Sequence, residues 1–295
     1  MVTARALTAL LCLSLAAPAL AQEPPPPPPP DPAPPPVLVE IDLGEPDLPF
    51  VPSEPDFTLA ALPTTLRLPA GRWGFRVAHR FTRGLGEGSF GDLASDFFGF
   101  DSSAIVGLEV RYGIRPGLQL ALLRTSDRTM QFLGQLSVLQ QRDQRPFGLD
   151  AVAAVQGLDN FTEDYTTTLG AIVSRRLEDR GAIYAHPMFV INPLPESVAP
   201  TPGQTDTDDA AVMLGLGARL RLGRSTYVVG EFVPRLSGPD VGDDHLSFAL
   251  ERRRGGHSFQ INFSNSFATT LGQVARGYGS SGEWHIGFNI SRKFY

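Results

Sequence analysis

The side chains able to do chemistry are few and far apart. Five histidines are dispersed over 295 residues, and the single cysteine, Cys12, lies in an N-terminal apolar run. That set offers neither a metal-ligand spacing nor a thiol nucleophile, so no metal and no cofactor is expected. A hydrolytic serine needs a histidine within hydrogen-bond reach on the same face of one strand or of adjacent strands. His257 is followed at once by Ser258, which strand alternation sends to the opposite face, and no better His–Ser pair is expected elsewhere. Ser264 and Asn265 qualify only by proximity, so the expectation is that the chain is not an enzyme. The glycines of "GEGSFG" at 86–91 lack the strand–turn–helix setting of a phosphate cradle. A formal net charge of −6, or −7 once Arg5 is left out, argues against nucleic acid as a partner.

What stands out instead is where charged residues fall in runs of period two. "WGFRVAHRFT" sets Trp73, Phe75, Val77 and Phe81 against Arg76, Ala78 and Arg80, with His79 on the apolar row. "AIVGLEVRYG" sets Val106, Leu108, Val110 and Tyr112 against Gly107, Glu109 and Arg111. "VMLGLGARLRLG" does the same with Gly215, Gly217, Arg219 and Arg221 on the polar side, and Glu231 falls on the polar row of its own segment. "HSFQINFSNS" and the terminal "HIGFNISRKFY" repeat the pattern. Residues 118–125, 130–139, 147–157, 164–175, 182–191, 226–234 and 246–251 read as further strands, which brings the total to about twelve. No convincing helical period appears after residue 21.

One apolar and one polar face fits a soluble sandwich, or a transmembrane barrel whose apolar rows meet lipid and whose polar rows line the lumen. Three features favour the barrel. Tight connections such as "IRPG", "LGRS" and "ERRRGG" alternate with long ones at 83–103, 192–210, 235–245 and 265–282. Aromatics (Trp73, Phe81, Tyr112, Phe147, Tyr227, Trp284, Phe294) stand near strand ends, as interface girdles do. Finally, the chain stops inside an aromatic-ended strand. The expected fold is therefore all-β: an antiparallel transmembrane β-barrel of about 12 strands over residues 64–295. The strand at 284–295 is the segment that barrel-assembly machinery would read, with Tyr295 one residue out of register.

"ALTALLCLSLAAPALAQ" behind Arg5 has the shape of a cleavable export signal over residues 1–21. Eleven of the fourteen residues 23–36 are proline, a polyproline II spacer of about 40 Å. Residues 22–63 are expected to form a proline-rich periplasmic arm, either a plain linker or a segment presented to a periplasmic or cell-wall partner. Outer-membrane lipids are a further expected partner; the acids gathered in the long loops and the arginines in the short turns read as ordinary solvated charge or, alternatively, as carboxylates bridged to lipid phosphates by divalent cations. About twelve strands enclose a modest lumen. Its expected lining is Arg76, Arg80, Glu109, Arg111, Arg219, Arg221 and Glu231, which in an open pore would favour small anions. The leading expectation is a narrow porin-like channel of the outer membrane. A plugged structural or adhesive barrel acting through loops and arm is the alternative, and a lipid hydrolase comes third.

"LPAGRWGFRVAHRF", "FFGFDSSAIVGLEVRYGIRPGLQLALLRT", "GHSFQINFSNS" and "GFNISRKF" together resemble a family of uncharacterised bacterial outer-membrane β-barrel proteins. The resemblance covers residues 64–295 and implies fold and location without any catalytic residue. His79, Arg80, Asp101, His257 and Asn265 fall in those stretches and are candidates for a structural or functional role.

Overall fold

The computed structural model describes residues 51–142, 144–194, 210–239, 242–277 and 282–294. Its strands are β1 (Trp73–Phe81), β2 (Ala104–Arg115), β3 (Leu118–Thr125), β4 (Met130–Leu139), β5 (Gly148–Leu158) and β6 (Glu163–Arg176). They continue as β7 (Gly181–Ile191), β8 (Ala210–Arg221), β9 (Thr226–Val233), β10 (Arg235–Ser237), β11 (His245–Arg254), β12 (His257–Ser264) and β13 (His285–Phe294). All pairings are antiparallel, and β1 bonds to β2 on one side and β13 on the other, so the sheet closes. Short β10 is not a separate stave. Pro234, which has no N–H, interrupts β9, and β10 carries on along β8 across a register shift. The barrel thus has the expected twelve staves and no free edge, the only kind of sheet that lipid tolerates.

Burial along the strands is inverted relative to a soluble protein. Leu108, Leu120, Leu250 and Ile261 are about half exposed on the outer face, while Glu109, Gln119, Glu251 and Gln260 beside them are buried. A polar inside and an apolar outside is the signature of a wall that meets lipid. The interior is not uniform. Staves β1, β2, β12 and β13 turn Arg76, Arg80, Glu109, Arg111, Gln260, Asn289 and Lys293 inward. Staves β3 to β8 mix apolar Leu123, Leu133, Val152, Ile172, Met188 and Met213 with polar Gln119, Gln131, Gln135, Asp150 and Gln156 on the inner face.

Three expectations need correcting. Residues 51–63, read as the end of a periplasmic arm, are buried inside the barrel. Tyr227 faces inward and is fully buried, so it is no girdle residue; it alternates in phase with Val229, Glu231 and Val233 on the inner row of β9. Among the described residues two α-helices occur, α1 (Phe90–Ser95) and α2 (Leu271–Arg276), each six residues long and so too short to show a 3.6-residue period. The proline run, Tyr295 and loop acids Glu196, Asp206, Asp208, Asp209 and Asp240 lie outside the described residues.

Candidate functional site

The lumen is the site, and two segments fill it from opposite ends. Residues 51–68 enter at the end where the short turns lie and double back as a hairpin. Thr58 and Pro63 form a β-bridge, Leu59 N donates to Leu62 O at 2.8 Å, and Thr64 N donates to Phe57 O at 2.8 Å. Pro55, Pro63 and Pro69 cannot donate to a ladder, which keeps this stretch from joining the wall as a strand. A buried backbone outside the sheet must find other partners, and the wall supplies them. Arg219 donates to Asp56 O (3.1 Å) and Thr58 O (2.6 Å), Gln260 to Leu59 O (2.8 Å), and Arg80 and Asn289 to Ala60 O (3.1 and 3.0 Å). Gln135 donates to Thr64 O at 2.8 Å, Ser291 to the Asp56 carboxylate at 2.6 Å, and Lys293 to Pro55 O.

At the hairpin tip one carboxylate takes three consecutive amides. Glu231 Oε1 accepts from the N–H groups of Ala60, Ala61 and Leu62 at 2.7, 2.9 and 2.9 Å. Small side chains at Ala60 and Ala61 permit that approach, and the successive N–H groups form an anion nest. Glycines make room on the wall: a Cβ at Gly217 would overlap the Leu59 side chain, and one at Gly215 would stand 2.9 Å from Leu62 Cδ1. The alternating Gly215 and Gly217 of β8 are thus the seat of the hairpin.

From the opposite end, residues 265–277 fold inward and carry α2. Thr270 and Gln273 form its capping box, and Gly277 ends it in a left-handed conformation. All six of its residues are buried. Leu271 N donates to Gln131 Oε1 at 2.8 Å, Thr270 Oγ1 bonds Gln156, and Gln273 donates to Asp127 at 3.2 Å. Leu271, Val274 and Ala275 join Leu59 and Leu62 in one apolar cluster with the wall. The two inserts nearly meet: Pro63 and Leu271 share a void of only about 10 Å³, room for no more than one water. On either side lie a vestibule of about 1050 Å³ at the short-turn end and one of about 320 Å³ at the long-loop end.

His245 joins the two inserts. Its Nε2 lies 3.3 Å from Glu231 Oε2 and its Nδ1 lies 2.9 Å from Ser266 Oγ, on the loop leading into α2. Ser247 Oγ adds a bond to Glu231 at 3.1 Å. The expectation that no histidine shares a face with a serine in reach therefore fails here. His245 and Ser247 stand at the His-x-Ser spacing that puts both on one strand face, and that spacing was the available signal. The resulting Ser–His–Glu chain is nevertheless occupied by structure: its acid holds the hairpin and its serine is buried.

The remaining candidates are placed as follows. Arg76 and Arg111 both bond Glu109, at 2.7 and 3.0 Å, in a buried triad under Phe57. Arg219 pairs with buried Glu251 at 2.9 Å. Arg221 sits apart at the short-turn end, on Asp179 at 3.0 Å. His79 faces outward and stacks between Phe288 and Phe81, so its apolar-row position is lined by aromatic rings. Asp101 is exposed in the loop after β1, and His257 begins β12 near the short turns. Asn265 ties the opposite, long-loop end of β12 to β11, accepting from Leu246 N and donating to Asp244 O. Among the described residues no cluster of three or more metal-ligating side chains occurs.

A family model described as "Membrane bound beta barrel domain (DUF5777)" matches residues 56–294, so the matched region begins inside the hairpin. Among solved structures, the NanC porin shares 8% identity at a TM-score of 0.50, over 75% of this chain and 100% of the porin. A KdgM porin determined with disordered oligogalacturonate shares 7% at a TM-score of 0.47, over 75% and 99%. A Rhodopseudomonas blastica porin mutant shares 12% at 0.33, over 64% and 55%. At these identities the likeness is one of fold. No curated protein matches the chain.

Proposed function

The chain belongs to this family of membrane-bound β-barrel domains, and on that premise we propose that it is a porin-like passage for small solutes in the outer membrane, closed in this conformation by the hairpin 51–68. The observation that carries the reading is the kind of contact the hairpin makes. Leu59 and Leu62 pack on the wall, but the hairpin's backbone is held by hydrogen bonds from polar wall side chains, which water can replace once the hairpin leaves. Behind it the wall holds five buried cations (Arg76, Arg80, Arg111, Arg219, Lys293) and four buried acids (Glu109, Asp150, Glu231, Glu251). The hairpin adds buried Glu54 and Asp56; its withdrawal tips the lumen toward small anions. The short-turn end then faces the periplasm, reached through an export signal and the assembly machinery acting on the last strand. The rival reading is a permanently filled structural barrel acting through its loops and the proline-rich arm. No reaction is assigned to either.

Single-channel recording in planar bilayers separates the two. The full chain should show brief or no openings, and a variant lacking residues 51–68 should conduct steadily with a modest anion preference that Arg219→Glu reverses. A deletion variant that keeps the heat-dependent gel mobility of a folded barrel and never conducts would sink the channel reading.

A further inference from the structure

The outer surface near β1 and β13 carries a built aromatic paddle. Along β1 the outward row is exposed at Trp73 (51%) and Phe75 (39%), yet Phe81 at its long-loop end is only 6% exposed. On neighbouring β13, Phe294 is 45% exposed and Ile286 only 9%. The loop 82–103 is what covers them. Phe100 packs on Phe81 with ring centroids 4.8 Å apart, and Gly99 lies against Ile286. This loop therefore folds down over the outside of the wall rather than across the mouth.

Its conformation is specified from within. Arg83 pairs with Asp96 and donates to Gly84 O and Glu87 O at 3.0 and 3.1 Å. Ser89 and Asp92 form the capping box of α1. Phe97 and Phe98 sit at φ 50° and 58°, a backbone region that bulky residues occupy only when their surroundings demand it. The outcome is four phenylalanines, Phe90, Phe97, Phe98 and Phe100, at 76, 65, 44 and 41% exposure, in two ring pairs, Phe90–Phe98 and Phe97–Phe100. Exposing such a patch to water is unfavourable, and strain spent to present it implies something that receives it.

We propose that the loop 82–103 is a lipid anchor that seats Phe90, Phe97 and Phe98 in the acyl–headgroup boundary of the leaflet at the long-loop end. The occupant follows from continuity. Phe100 stacks directly on the last residue of a lipid-facing row, so the patch extends the lipid-contacting surface beyond the strands, at the depth where aromatic girdles lie. The anchor covers the β1–β13 seam, where the two ends of the barrel chain pair.

The test uses the full chain with Trp73→Phe and Trp284→Phe, so that one tryptophan can report alone. Phe98→Trp is reconstituted in vesicles containing phospholipid brominated on the acyl chain, with Ile261→Trp on the outer face of β12 as the lipid-exposed control. The expected result is blue-shifted emission quenched by the brominated lipid as strongly as the control and unaffected by iodide. Quenching by iodide alone would put the loop in water and overturn the anchor. Protection from both quenchers would show a protein cover, such as a second copy, and would equally overturn it. Phe97→Trp gives an independent reading should the first variant fail the heat-dependent mobility check.

Discussion

The hairpin 51–68 and the helix α2 occupy one lumen by opposite means. The hairpin is bound chiefly by the charged and amide side chains of β1, β9, β12 and β13 together with Arg219, with Glu231 taking three of its amides. Helix α2 turns Leu271, Val274 and Ala275 into an apolar cluster with the wall, and its polar ties run through Thr270, Leu271 N and Gln273 to Gln156, Gln131 and Asp127. Under the proposed channel function the contrast bears on which insert would move. Polar contacts in a water-accessible lumen exchange for water at a small net cost per bond, whereas expelling α2 would expose apolar surface at about 25 cal/mol per Å². Under the proposed channel function the hairpin would be the removable stopper and α2 part of the wall's packing.

The contrast can be broken from either side. Glu231→Ala should have the largest effect, because it leaves three buried N–H groups and His245 without their acceptor; loss of one partner from a buried charged site costs about 3–5 kcal/mol. The expected result is a hairpin cleaved by added protease at 51–68 while the barrel stays intact on gels. Leu271→Ala should destabilise the barrel by about 2–4 kcal/mol, the range for a buried leucine truncation, read as a lower urea midpoint for unfolding with the hairpin still protected. A smaller effect, about 1–3 kcal/mol from overpacking, is expected of Gly217→Val, which fills the seat of Leu59; protease sensitivity should rise as for Glu231→Ala, only less. Ser266→Ala should cost about 1 kcal/mol, one neutral hydrogen bond. Combined with Glu231→Gln its effect on the urea midpoint should be less than additive, since both act through His245.

The wall was legible in the sequence because a barrel strand repeats its chemistry every second residue. Leu108 and Glu109, or Ile261 and Gln260, announce opposite faces without any tertiary information. The placement of Arg76, Arg80, Glu109, Arg111, Arg219 and Glu231 on the inner row follows from that period alone. What fills the lumen does not repeat. The hairpin is recognised by single wall residues far away in sequence, such as Glu231 for Ala61 and Gln260 for Leu59, so its proline-rich composition reads as tail. Helix α2 spans fewer than two turns, too few to show a face. The His245–Leu246–Ser247 spacing was there to be seen, but its partner Ser266 is placed by the inward fold of a loop that no local pattern encodes.

The most direct test is chemical access to the hairpin tip. In a Cys12→Ser background, Ala61→Cys in the reconstituted barrel is treated with a bulky, membrane-impermeant thiol reagent. The cysteine should be protected in the otherwise unchanged protein and modified rapidly when Glu231→Ala is added. Equally rapid labelling of both would contradict the account, because the lumen would then stand open with the hairpin outside it.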